Sequence, residues 1–300
     1  MSVTATASGR PAGRMQRIGA VLRELMQRPR AAFGMAVILV MVILAVFAPW
    51  LMPHDPFQQN FDGLTLTGAP KPPGGAYPLG TDLLGRDLAS RLILGTRTSL
   101  IIGVLANGIA VVLGAGVGIT AGFFGGWIGA ILMRFTDLMM AFPALLLAIV
   151  LAAIFQPSLL VVAIVIAMVN WVQMARVIYT ETRGLVEREF IHVQRAIGSS
   201  PWRVLRAHLL PHLLSSIVVF GTLGISTTVM LEATLSFLGV GVQPPMPSWG
   251  NIIFENQTYF STAPWLVFLP GVAIVLLALS FNLVGDALRD ILDPTLKGRH

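Results

Sequence analysis

The residues able to do chemistry in this chain are few and widely spaced. Its histidines, His54, His192, His208, His212 and His300, are scattered and match no HExxH or other metal-ligand spacing. There is no cysteine, so no disulfide framework and no thiolate site. No Gly-x-x-x-x-Gly-Lys-Ser/Thr loop cradles a phosphate, and no Ser/His or paired-Asp arrangement lies in the apolar runs. What remains are ionisable side chains inside those runs, where they are costly and therefore functional candidates. Arg134 and Asp137 stand three apart on one helical face and are predicted to pair, as a structural or gating pair in preference to a substrate contact. Glu232 is deeper. It has two readings: facing a pathway that attracts a cationic or amino-terminal group, or bonding a polar residue of a neighbouring subunit. Asn170, Gln173 and Asn282 read as polar glue between helices rather than as ligands.

The elements that position these groups follow from composition. Of 300 residues, 55 % are hydrophobic and 11 % charged, against about 25 % charged in soluble domains. That excludes an ordinary cytosolic enzyme, a disordered chain and a nucleic-acid-binding domain. The expectation is an all-α integral membrane protein with six transmembrane helices. The first span is Ala32–Met52, too long for a signal-peptide core and without a small-residue cleavage site. Five more apolar runs lie near 99–124, 129–154, 157–178, 213–240 and 265–286. Pro143 and Pro270 fall inside the third and sixth, where kinks are expected. Gly114, Gly118 and Gly122, spaced by four, form a smooth face for close helix packing.

Three regions result. Residues 1–31 are a basic tail with an amphipathic helix at the membrane surface, carrying Arg10, Arg14, Arg17, Arg23, Arg28 and Arg30. Residues 32–98 hold the first span and a Pro- and Gly-rich loop with little local structure. Residues 99–300 form a five-span core with a long connection at 180–211. Of the 20 Lys and Arg, only Lys71, Arg86, Arg91 and Arg97 fall on the side opposite the tail. The net charge of +6 therefore reads as membrane orientation, with both termini and the 180–211 loop cytoplasmic.

The 180–211 segment has a two-helix signature. Residues 185–197 lack Pro and Gly; Gly198 suits a helix C-terminus, and Ser200-Pro201 supplies an N-cap and first-turn proline. Gly198, followed after nine intervening residues by His208-Leu209-Leu210-Pro211, with Arg195-Ala196 before it, resembles the cytoplasmic loop of ABC importer permeases. His192-Val193-Gln194 stands where that family has Glu-Ala-Ala. Pro78-Leu79-Gly80-Thr81-Asp82 with Gly85-Arg86-Asp87, Leu235-Ser236-Phe237-Leu238-Gly239 with Ser248-Trp249-Gly250, and Phe281-Asn282-Leu283-Val284-Gly285-Asp286 are similar to the dipeptide, oligopeptide and nickel group, second ("C"-type) subunit.

The resemblance implies a permease that is not itself an enzyme and holds no cofactor. ATP and Mg would bind two partner ATPase subunits, and a homologous second permease would form the other half of the pathway. It implies that Glu187, Phe190, Arg195, Ala196, Gly198 and Pro211 couple to the ATPase, with Arg195 reaching an acidic rim. An extracytoplasmic solute-binding protein would dock on the outer loops, with Asp82, Arg86, Asp87 and Trp249 as candidate contacts; those loops could equally cap the bundle. The implied location is the bacterial inner membrane and the first-choice substrate is a di- or oligopeptide, with glutathione-type peptides and nickel complexes as alternatives. A self-sufficient secondary transporter would need more midplane acids. A membrane-bound enzyme would need a catalytic constellation.

Overall fold

The computed structural model describes residues 14–155 and 158–292. Arg10 and His300 lie outside them. All described regular structure is helical apart from isolated bridges in the 53–87 loop. In chain order the α-helices are α1 (Arg14–Gln27), α2 (Pro29–Val46), α3 (Ala48–Leu51), α4 (Leu88–Phe124), α5 (Gly126–Ala141), α6 (Ala144–Ile154), α7 (Leu159–Val186), α8 (Glu189–Ala196), α9 (Pro201–Val204), α10 (Leu210–Phe237), α11 (Trp249–Asn256) and α12 (Trp265–Leu292). Among the described residues five helical stretches are long and apolar enough to cross a membrane. They are α2, α4, α7, the continuous α9–α10 stretch and α12.

The third apolar run is not one straight span. α5 and α6 meet at an angle of 89°. Phe142 precedes Pro143 and takes φ −87°, ψ 132°, the extended geometry that a following proline imposes. The pair is the sixth span only if both halves are counted together. Pro270, by contrast, sits one turn into α12, and the helix runs on to Leu292 without a break. A proline there withholds the N–H that would reach the Leu266 carbonyl, and the helix continues past that one missing bond.

Residues 88–98 are helix rather than loop. Asp87 caps α4 by accepting from the Ser90 N–H at 2.9 Å. The helix then continues for 37 residues, about 55 Å at 1.5 Å per residue, and projects well beyond a ~30 Å hydrocarbon core. α4 and α7 pack along the glycine row. A Cβ on Gly114 would lie 2.5 Å from the Trp171 carbonyl, on Gly118 2.6 Å from that of Ala175, and on Gly122 2.7 Å from Thr182 Cβ. Only hydrogen fits there. Around this pair, Ile102, Ala106, Ala148, Val162, Ile166 and Leu235 form one buried cluster. Ala45, Leu100, Val229, Trp249, Leu277 and Phe281 form another that gathers α2 and α12.

α1 does not lie alone. Leu25 is buried with Ala31, Ala287 and Ile291, and Arg28 pairs with Asp290 at 2.8 Å. The basic helix and the end of α12 thus share one end of the bundle.

Candidate functional site

Two polar assemblies stand at opposite ends of α4. The first is the 180–211 connection. α7 runs to Val186, and the chain breaks at Glu187–Arg188 before α8 starts. Glu187 therefore ends α7, within 3.7 Å of Arg183, and is not part of the short helix expected from 185. Gly198 has φ +79°, a left-handed conformation that costs an L-residue about 1–2 kcal/mol. It lets the Ser199 N–H reach the Gln194 carbonyl at 3.0 Å and close α8. Ser200 Oγ accepts from the Arg203 N–H at 3.3 Å, with Pro201 in the first turn of α9. A wide turn over Leu205–Leu209 then joins α9 to α10 just before Pro211. That turn accommodates a proline whose N–H is missing from the ladder.

This two-helix unit is fastened to the bundle by Ile191, Val204 and Leu209, buried with Phe123 and Val186. Phe190 stacks on His212 at 5.6 Å between ring centroids. The Arg195 guanidinium lies over the Phe123 ring at the end of α4, 5.4 Å from its centroid, and the residue is exposed. Ala196 and Gly198 are exposed. Sequence reasoning missed the apolar outer face: Val193, Ile197 and Trp202 are 57 %, 69 % and 65 % exposed. The signal was present, since these apolar residues sit in an otherwise charged stretch.

The second assembly joins the 53–87 loop and α4 to α11. Asp82 Oδ2 accepts from Arg86 Nε at 2.6 Å and lies 3.3 Å from Arg91 Nε. Glu255 Oε2 on α11 accepts from Arg86 Nη2 at 2.6 Å and Arg91 Nη2 at 2.7 Å. Two carboxylates and two guanidinium groups thus balance in the interior. Asp82 and Arg91 are wholly buried and Arg86 nearly so. Gly85, at φ +72°, makes the turn that folds Arg86 back on Asp82; a Cβ there would strike the Asn60 carbonyl. The Leu83 N–H reaches Asn256 Oδ1 at 3.2 Å. Nearby, burial and the adjacent Asp62 hold the Tyr77 phenol above its ordinary range.

This corrects the expectation for Asp82, Arg86, Asp87 and Trp249. None of the four offers a docking surface: Asp82 and Asp87 have no exposed area, Arg86 4 % and Trp249 1 %. The physical reason is charge balance. The loop's acids and bases pair with one another and with Glu255, and once paired they can be buried.

The spans rearrange the other candidates. Asp137 accepts a hydrogen bond from Arg176 on α7, not from Arg134; among the described residues Arg134 has no ion-pair partner. Glu232 is fully buried within this chain. Its carboxylate accepts from Ser99 Oγ at 3.1 Å and Ser236 Oγ at 2.8 Å. Ser236 Oγ also accepts from the Val242 N–H at 3.1 Å. Glu232 therefore clasps α4, α10 and the start of the 241–264 loop. It faces neither an open cavity nor a surface. Ser236 stands one turn along the same helix, but Ser99 comes from α4, 133 residues earlier, which an inspection of one span cannot reveal.

Residues 114–298 match the family described as the inner membrane component of binding-protein-dependent transport systems. Residues 17–73 match the N-terminal membrane domain of oligopeptide transport permease C. The chain belongs to this family of importer permeases. The permease is 38 % identical to a dipeptide transport system permease protein, DppC, of Alkalihalophilus pseudofirmus, over 92 % of this chain and 89 % of that protein. It is 41 % identical to a di/tripeptide permease of Pseudomonas aeruginosa, over 88 % of each. It is 40 % identical to the glutathione permease GsiD of Pectobacterium atrosepticum, over 92 % and 90 %. The solved inward-facing MetNI methionine ABC transporter shares the fold, with TM-score 0.57 and 18 % identity over 69 % of this chain and 98 % of that one.

As an ABC importer permease, the protein is a multi-pass component of the bacterial inner membrane. It is the non-catalytic transport part of a system that also comprises an ATPase and a binding protein.

Proposed function

We propose that this permease forms half of the translocation pathway of an ATP-driven importer of di- or oligopeptides. The observation that carries the reading is the set of dipeptide and di/tripeptide permeases at 38–41 % identity, matched along about nine-tenths of both chains. A second, homologous permease completes the pathway, and two ATPase subunits bind ATP and Mg on the cytoplasmic side. Both termini and the 180–211 loop face the cytoplasm, supported by the excess of Lys and Arg there.

α8 and α9 dock on an ATPase subunit through the exposed Val193, Ile197 and Trp202, and Gly198 keeps the unit rigid. The binding protein docks on the outer loops, with the fully exposed Phe61 and Leu66 replacing the buried charges as contacts. A glutathione-type peptide is the second reading, favoured by the relative of that name at 40 % identity. The test is uptake of labelled di- and oligopeptides, glutathione and nickel by a deletion strain and its complemented counterpart. Loss and rescue of di- or oligopeptide uptake is the expected result. Loss confined to nickel overturns the peptide assignment, and loss confined to glutathione selects the second reading.

A further inference from the structure

Midway along the bundle, α4, α7, α10 and α12 line an open-sided cavity of about 280 Å³, just below the ~300–1,000 Å³ range of small-molecule sites. Its polar lining is Asn107, Asn170, Gln173, Thr227 and Asn282, and it carries no charged residue. Asn107 Nδ2 donates to the Gly221 carbonyl at 2.7 Å, and Asn170 Nδ2 to Thr228 Oγ1 at 3.1 Å. These bonds fix two amides to α10. Gln173 and Asn282 are exposed and make no hydrogen bond among the described residues. An amide left facing hydrocarbon is unfavourable, so the two unpartnered amides, Gln173 and Asn282, favour a polar occupant.

A second cavity, of about 290 Å³, lies beside it. Phe220 lines both, and the second is bounded by Ser215, Ser216, Glu181 and Arg289. Thr227, Gly224, Phe220 and Ser216 succeed one another at three- and four-residue steps, so one stripe of α10 runs along both.

We propose that this amide-lined cavity holds the backbone of a peptide in transit. The inference rests on the peptide reading above and deepens it. An Asn or Gln side chain offers a donor and an acceptor in the same plane. It therefore matches the N–H and C=O that every peptide group carries, whatever the peptide's side chains. A lining without charge does not discriminate between acidic and basic peptides, so this part of the path is indifferent to peptide charge.

The test uses the whole transporter in cells expressing Gln173→Leu with Asn282→Leu, or Gln173→Glu alone. Lys-containing, Glu-containing and apolar dipeptides are offered in parallel. The apolar pair is expected to lower uptake of all three classes alike, by about tenfold, the loss of one or two hydrogen bonds. Co-purification with the partner subunits should persist. Q173E is expected to raise Lys-peptide over Glu-peptide uptake by several-fold. Unchanged uptake in both variants overturns the proposal. So does loss of subunit assembly in the apolar pair with no charge preference in Q173E, which would make the amides contacts to the partner permease. Absence of peptide uptake by the unaltered transporter defeats the peptide reading itself, and is seen before any variant is made.

Discussion

Glu255 illustrates how a single side chain can hold two distant parts of a membrane protein. It is the counter-charge for both Arg86 and Arg91, and nothing else on α11 could replace it. Glu255→Ala leaves two guanidinium groups sharing only Asp82 in the interior. Removing one partner of a buried pair typically costs about 3–5 kcal/mol. A clear fall in the thermal unfolding temperature of the detergent-purified transporter is expected, with Glu255→Asp retaining part of the loss. Gly198 is a second residue with a sharp prediction. At φ +79° it should tolerate Asn but not Val, since Asn enters the left-handed region at low cost and a β-branched residue does not. Gly198→Val should leave ATP hydrolysis running while peptide uptake falls. Equal uptake in the two variants would remove Gly198 from the coupling step.

At the scale of elements, the α4–α7 contact depends on which glycines face it. Gly118→Ala should destabilise the permease by a few kcal/mol, because the added carbon overlaps the α7 backbone. Gly116→Ala, two residues away with nothing within 4 Å of its Cβ, should be neutral or stabilising by about 0.5–1 kcal/mol through helix propensity. The pair separates packing from composition in one unfolding experiment. The α8–α9 face gives another expectation. Trp202→Ala with Ile197→Ser removes exposed apolar area without touching the buried Ile191 and Val204. Co-purification of the ATPase should weaken while the permease itself stays folded.

Most elements were legible in the sequence because their signals are local. The apolar runs, the Ser200-Pro201 start, the Gly198 stop and the Gly114–Gly122 row all rest on residues within a turn or two of each other. What was not legible needed partners from elsewhere. Arg134 and Asp137 satisfy the spacing of a helical pair, yet Arg176 from α7 takes the carboxylate. Asp82 and Arg86 look like an exposed polar loop until Glu255, more than 160 residues on, closes the cluster. Asn170, Gln173 and Asn282 read singly as glue, and only the fold brings them around one cavity.

For the molecule as a whole, the arrangement predicts a sidedness that can be measured directly. α1 and the end of α12 pack together, so a reporter fused at either terminus must fall on the same side. Green fluorescent protein at the C-terminus should fluoresce, and alkaline phosphatase there should be inactive; the reverse result would invert the topology. A phosphatase inserted after Leu66, in the opposite loop, should be active. This also decides whether α5 and α6 together cross the bilayer, because an even number of crossings is required to return the chain to its starting side.

The length of α4 has a mechanical meaning. Arg91 near its first turn sits in the ion cluster, and Phe123 near its last lies beneath Arg195. About 32 residues of uninterrupted helix, close to 50 Å, separate the two. A helix of that kind has no joint at which a displacement could be absorbed. Tilting either end swings the other, as a seesaw does. The 53–87 loop and the 180–211 unit are therefore two handles on one rod, and loosening the ion cluster should be felt as a change in ATP turnover at the opposite end of the helix.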